Sequence, residues 1–236
     1  MAQETFRVET LPWKSKRCPR TPPHPLPQTV QELCWGLVAR RMSGKTLKLI
    51  NIVRAFKRSV DLIYILSPIV RLDQKWRAVT GYDNVIVSSK VDNETLAAIV
   101  EVQQERYDPK HPDEYQALVI IDDAGCDMRR AKLRQMINDY TSRLRHFGAG
   151  VVLAVQSINH LEGSMITNIT QWSIWDMNKR ALKKFCDDVA TARVNEDTLK
   201  RFILENTGDP YAFVCIDFTK PPSETLRVGF DRVWTP

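Results

Sequence analysis

The chain has 236 residues, 43% hydrophobic and 26% charged, with a net charge of +6, which is enough for one real core with an appendage rather than two full domains. No apolar run approaches the roughly 20 residues that cross a bilayer, and the N-terminal stretch lacks the apolar centre of a signal peptide, so an integral membrane segment is not expected and a cytoplasmic setting is. Five widely spaced cysteines (18, 34, 126, 186, 215) without a CxxC pair argue against a disulfide framework or a zinc site and for buried or idle thiols.

The charge is concentrated at the front. Residues 1–60 hold twelve Lys or Arg against three acids, net +9, which leaves −3 for the other 176 residues. Such a distribution suits contact with nucleic acid or another acidic surface, and equally a solvated charged face. Residues 1–30 also contain six of the thirteen prolines, so they read as an extended basic arm, with the folded domain over 31–236.

From residue 32 the pattern alternates. ELCWGLV (32–38) is a short apolar run, and TLKLINIVRAFKR (46–58) places Leu47, Ile50, Val53 and Phe56 at helical spacing. VDLIYILS (60–67) and NVIVSS (84–89) read as strands, and NETLAAIVEVQQER (93–106) as a helix capped by Asp92 or Asn93. ALVIIDD (117–123) has the continuous apolar character of a buried parallel strand. A helix is expected over 128–148, a strand at GVVLAVQS (150–157), a strand at QWSIWDM (171–177), and helices within 178–188 and 195–206. YAFVCIDF (211–218) and TLRVGF (225–230) close the chain as strand candidates. The alternation predicts an α/β fold with a mainly parallel sheet covered by helices on both faces.

Between the first strand and the first helix lies Ala39-Arg40-Arg41-Met42-Ser43-Gly44-Lys45-Thr46. It fits the phosphate-binding pattern GxxxxGK[ST], with alanine at the first glycine. In such a loop, backbone N–H groups and the helix N-terminus surround the phosphates; Gly44 allows their close approach, Lys45 reaches the β- and γ-phosphates, and Thr46 ligates Mg²⁺. Lys45 is thus expected to serve phosphate rather than core, so Lys45→Ala should abolish turnover and leave the fold intact. A strand ending in Asp122 and Asp123 is where an enzyme with this loop needs a metal-holding acid, Asp122, and a general base, Asp123; the alternative is that both acids cap the next helix. Gln156, at the carboxyl end of its strand, would face the γ-phosphate or simply cap the following turn. Arg145 is a candidate to reach a neighbour's nucleotide, or a cation placed on the last turn of a helix. Two basic clusters, Arg129, Arg130, Lys132 and Arg134, then Lys179, Arg180, Lys183 and Lys184, would grip DNA or form solvated helix faces. Trp172 and Trp175 read as core or subunit interface rather than base-stacking residues.

In ARRMSGKT, VIIDDAG and SRLRHFGAGVVLAVQS the chain resembles the FtsK/HerA superfamily of P-loop ATPases. Within it, the likeness is to the small genome-packaging ATPases of double-stranded DNA viruses with double-jelly-roll capsids, over residues 32 to about 233. The resemblance implies a RecA-like core, ATP and Mg²⁺ as cofactors, and a homo-oligomeric ring, pentamer or hexamer, around double-stranded DNA. It also implies docking on capsid or vertex proteins, in the host cytoplasm during assembly or with the virion. The alternatives are a related DNA-translocating or export motor, a small-molecule kinase, and an assembly protein that binds ATP without turnover.

Overall fold

The structure, a computed structural model, describes residues 33–112, 114–123 and 131–235. The proline-rich arm, Cys18, Cys126, Arg129 and Arg130 lie outside the described residues, as do the side chains of Lys132, Arg134 and Arg145.

Nine strands form one sheet in the order β3-β2-β4-β5-β1-β6-β7-β8-β9. They are β1 (Cys34–Val38), β2 (Leu62–Leu66), β3 (Val85–Ser88), β4 (Ala117–Asp122), β5 (Ala149–Val155), β6 (Gln171–Trp175), β7 (Phe213–Asp217), β8 (Leu226–Val228) and β9 (Arg232–Val233). Pairings from β3 to β6 are parallel; β6 to β9 turn back as an antiparallel extension. The helices are α1 (Lys45–Phe56), α2 (Asn93–Arg106), α3 (Ala131–Arg143), α4 (Gly163–Asn168), α5 (Lys179–Val189) and α6 (Glu196–Asn206). The predicted α/β architecture is the one observed.

The central strands are apolar on both sides because both sides are covered. In β4, Leu118 and Ile120 join a core with α1 and the 3-10 turn at Trp76, while Ala117, Val119 and Ile121 face the side of α2 to α6. The coverage is uneven: α1 is the one helix contributing to the first core among the described residues. Its buried stripe is Leu49, Ile50, Ile52, Val53 and Phe56. Leu47, expected on that stripe, is exposed, because the first turn of α1 faces a cavity rather than the sheet. Among the described residues, the helix expected over 128–148 is seen as α3 and continues as the 3-10 turn Leu144–Phe147. Asp92, not Asn93, caps α2 by accepting from Thr95 N–H.

Trp172 and Trp175 are both buried, Trp172 edge-on to Phe185 and Trp175 against Phe213, which places them in the core. Trp172 also explains Gly36: a methyl group built there would come within 2.6 Å of its ring and 3.1 Å of Ile169. Gly36→Val is therefore expected to cost about 1–3 kcal/mol through overpacking, read as a lower urea midpoint with unchanged m.

Candidate functional site

Parallel strands deliver their carboxyl ends to one edge of the sheet, and the chemistry-bearing residues gather there. β1 leads into the Ala39–Thr46 loop, β2 into Ser67, β4 into Asp122 and Asp123, and β5 into Gln156. A cavity of about 860 Å³ opens over the loop and is lined along its length by Arg40 to Lys48, with Asp123 and Gln156 on one side.

The loop folds without a glycine at its first position. Ala39 keeps its N–H on the Val155 carbonyl at 3.1 Å and is buried in the core beside α1. Its φ is not positive, so a small side chain suffices. The left-handed turns come at Met42 (φ 62°) and Gly44 (φ 94°), and Ser43 Oγ staples the loop by donating to the Arg40 carbonyl at 2.7 Å. Arg40 itself pairs with Asp176 at 3.3 Å. Helix α1 starts with no side-chain cap and no acid in its first turn, so its leading N–H groups and positive dipole end are left for an anion.

Lys45 reaches inward from the first position of α1. Its Nζ lies 3.0 Å from Asp123 Oδ1 and 3.1 Å from Asp122 Oδ1. Gln156 Nε2 donates to the same Asp123 oxygen at 2.7 Å, which places Gln156 on the acid rather than on open space. Asp123 can turn back toward both donors because its backbone is left-handed (φ 56°). Ser67 Oγ donates to Asp122 Oδ2 at 3.4 Å. This serine, missed in the sequence, follows an ordinary strand and carries no motif.

The two acids differ in charge cost. Burial pushes the Asp122 carboxyl above its ordinary value, the neighbouring Asp123 adds to this, and Lys45 and Ser67 offset it only in part. Burial also acts on Asp123, but Lys45, the Gln156 hydrogen bond and Arg41 outweigh it and hold that carboxyl below its ordinary value. Asp123 is thus the more firmly ionised acid of the pair.

The residues fit a hard divalent cation. Asp122 is 0% exposed, and its Oδ1 accepts no hydrogen bond despite the nearby ammonium. That oxygen, held among the described residues by the ion pair with Lys45 alone, suits a metal-bound water, and the Thr46 hydroxyl, in the cavity that Asp123 also lines, suits direct ligation of Mg²⁺.

Arg145 is not part of this cluster. Its backbone sits in the turn that precedes β5, at the amino end of the strand, whereas Gln156 follows the carboxyl end. A seven-residue strand separates them by roughly 23 Å at about 3.3 Å per residue. The described cysteines, Cys34, Cys186 and Cys215, are buried thiols, and burial pushes Cys34 up to about 12 and Cys186 to about 11.

Comparison with curated proteins gives no match. Among solved structures, the DNA-packaging ATPase B204 from Sulfolobus turreted icosahedral virus aligns with a TM-score of 0.61 at 16% identity, covering 86% of this chain and 98% of that one. The genome packaging NTPase B204 of Sulfolobus turreted icosahedral virus 2, in complex with AMP, aligns at 0.59 and 16% identity over 86% and 99%. The cytoplasmic domain of the type VII secretion ATPase EccC from Thermomonospora curvata aligns at 0.57 and 14% identity, over 88% of this chain and 26% of that one. These likenesses establish the P-loop ATPase fold. The Poxvirus A32 protein family matches residues 31–206, from just before β1 to the end of α6, a span that takes in the loop, both acids and Gln156. On that match, the chain belongs to the Poxvirus A32 protein family.

Proposed function

We propose that this protein is an ATP hydrolase that drives double-stranded DNA into a preformed viral capsid, acting as a homo-oligomeric ring. The observation that carries the proposal is the cluster of Lys45, Asp122, Asp123 and Gln156 beside an uncapped helix N-terminus. The structural likeness to the genome-packaging ATPase B204 supports the same reading.

In this reading the first-turn N–H groups of α1 and Lys45 hold the β- and γ-phosphates, Asp123 takes the proton of the attacking water, and Gln156 orients it. Mg²⁺, held by Thr46 and through water by Asp122, would neutralise phosphate charge. The backbone of Arg145 sits at the end of β5 opposite its own chain's cavity, so any part it takes in hydrolysis would be toward a neighbour's nucleotide across a ring interface. On α5, Lys179, Arg180 and Lys183 are exposed opposite the buried Leu182, Phe185 and Val189, a surface suited to gripping phosphates without reading sequence. No helix among the described residues is long and apolar enough to cross a membrane, and the host cytoplasm is the expected place of action.

The test is ATP hydrolysis by purified protein with and without long duplex DNA. The expected result is several-fold stimulation by DNA that disappears as salt is raised. Binding of ATP without hydrolysis under either condition would instead support an assembly protein ordered by nucleotide. Stimulation by an exported polypeptide and not by DNA would favour a secretion motor of the EccC kind.

A further inference from the structure

Beyond Lys48 the cavity continues into an aromatic end, formed by residues that follow the family-matched span together with Trp175. Lys48 is 4% exposed, yet no carboxylate among the described residues pairs with it. Its Nζ sits 3.4 Å from the ring centre of Phe213, 4.2 Å from Phe230, 5.3 Å from Trp175 and 5.4 Å from Trp35. Its hydrogen bond among the described residues goes to Cys215 Sγ at 3.5 Å, a weak acceptor for a group with three donors. A second donor nearby is also unmatched: Trp175 Nε1 is buried without a partner. Both residues line the cavity. Tyr211 lies at its mouth, 68% exposed and with a left-handed backbone (φ 65°). Its ring comes within 3.5 Å of a Cβ built on Gly44, over the phosphate loop itself.

We infer that this aromatic end seats the purine ring of the nucleotide, with Tyr211 stacking on it and Lys48 and Trp175 donating to its ring nitrogens. The ligand must supply acceptors, because the protein supplies two buried donors, and it must be flat, because the walls are aromatic. It must also be joined to phosphate, because Lys48 is three residues, about 4.5 Å of helical rise, beyond Lys45 on the same helix. A purine nucleoside triphosphate satisfies all three conditions; inorganic phosphates and duplex DNA each fail at least one. For packing alone, an uncharged side chain of similar length at position 48 would fill the box without the buried ammonium.

The inference rests on the nucleotide-binding reading, and the experiment separates the two. Calorimetric titration with ATP and with inorganic tripolyphosphate, both with Mg²⁺, is compared for the wild type, Lys48→Met and Tyr211→Ala. Each substitution is expected to weaken ATP about 10-fold and to leave tripolyphosphate unchanged, since only ATP carries a base. Equal losses for both ligands, or no loss for ATP, would overturn the base seat while leaving the phosphate site standing. Failure of the wild type to bind either ligand would overturn the nucleotide reading and the base seat with it.

Discussion

Lys45→Ala is expected to lower ATP turnover by on the order of 10³-fold, the scale on which a lost transition-state charge contact shows itself. The structure adds a second expectation that the motif alone does not contain. Lys45 is the ion-pair partner of both acids, so its removal leaves Asp122 fully buried without a compensating cation. The variant is therefore expected to lose about 2 kcal/mol at pH 8, or roughly 4–8 °C in Tm for a chain of this size. The pH dependence has a definite sign. Without Lys45 the Asp122 carboxyl rises further above its ordinary value, so the folded state binds a proton that the unfolded state releases, and stability falls as pH rises between the two values. Melts at pH 5 and pH 8 should show a deficit that is small at the lower pH and larger at the higher one. A variant as stable as the wild type at pH 8 would mean that Lys45 does not hold the acids in solution, and would restore the simpler expectation of an untouched fold.

Lys48→Met is expected to move stability the other way. Burial pushes the Lys48 ammonium down to about 8 from its ordinary 10.5, so at neutral pH the folded state carries a charge that costs about 3 kcal/mol relative to the unfolded chain. Attraction to the faces of Phe213 and Phe230 offsets part of this, at about 0.5–1 kcal/mol each. Methionine keeps the length and polarizability without the charge, and a gain of about 1–2 kcal/mol at pH 7 should follow. The wild type should itself gain stability between about pH 8 and 10.5, where the unfolded lysine is still protonated and the folded one is not. The advantage of the variant should accordingly shrink in urea titrations at pH 9.5. A loss of stability on substitution would show that the aromatic box holds the cation more strongly than burial disfavours it.

Much of the fold was legible because buried parallel strands are short apolar runs and the phosphate loop marks the turn between the first strand and helix. ALVIID and GVVLAV read as central strands for the reason they are central: both faces are covered. The two-residue β9 was not legible, since no periodicity is visible over so short a span. Leu47 failed as a core residue because helical spacing describes which positions share a face and not whether the first turn faces sheet or cavity. The loop, the two acids and Gln156 were found through their positions at strand ends, but the sharing of one Asp123 oxygen by Lys45 and Gln156 depends on a left-handed backbone at Asp123 that no local pattern announces. Lys48, Trp175, Tyr211, Phe213 and Phe230 escaped for a different reason. Their relation depends on β6 lying beside β1 and on the antiparallel return of β7 beside β6, which sets Lys48 against residues more than 120 positions away.

Lys45 lies between two of the chain's own carboxylates, Asp122 and Asp123, within ion-pair distance of each. In the proposed function a triphosphate would enter by exchange, drawing Lys45 away from Asp122 and Asp123. That departure would remove a main influence keeping the Asp123 carboxyl below its ordinary value, making the acid a stronger proton acceptor once a substrate has claimed the lysine. On that reading the ion pairs that hold the two acids would also set when Asp123 can act as a base.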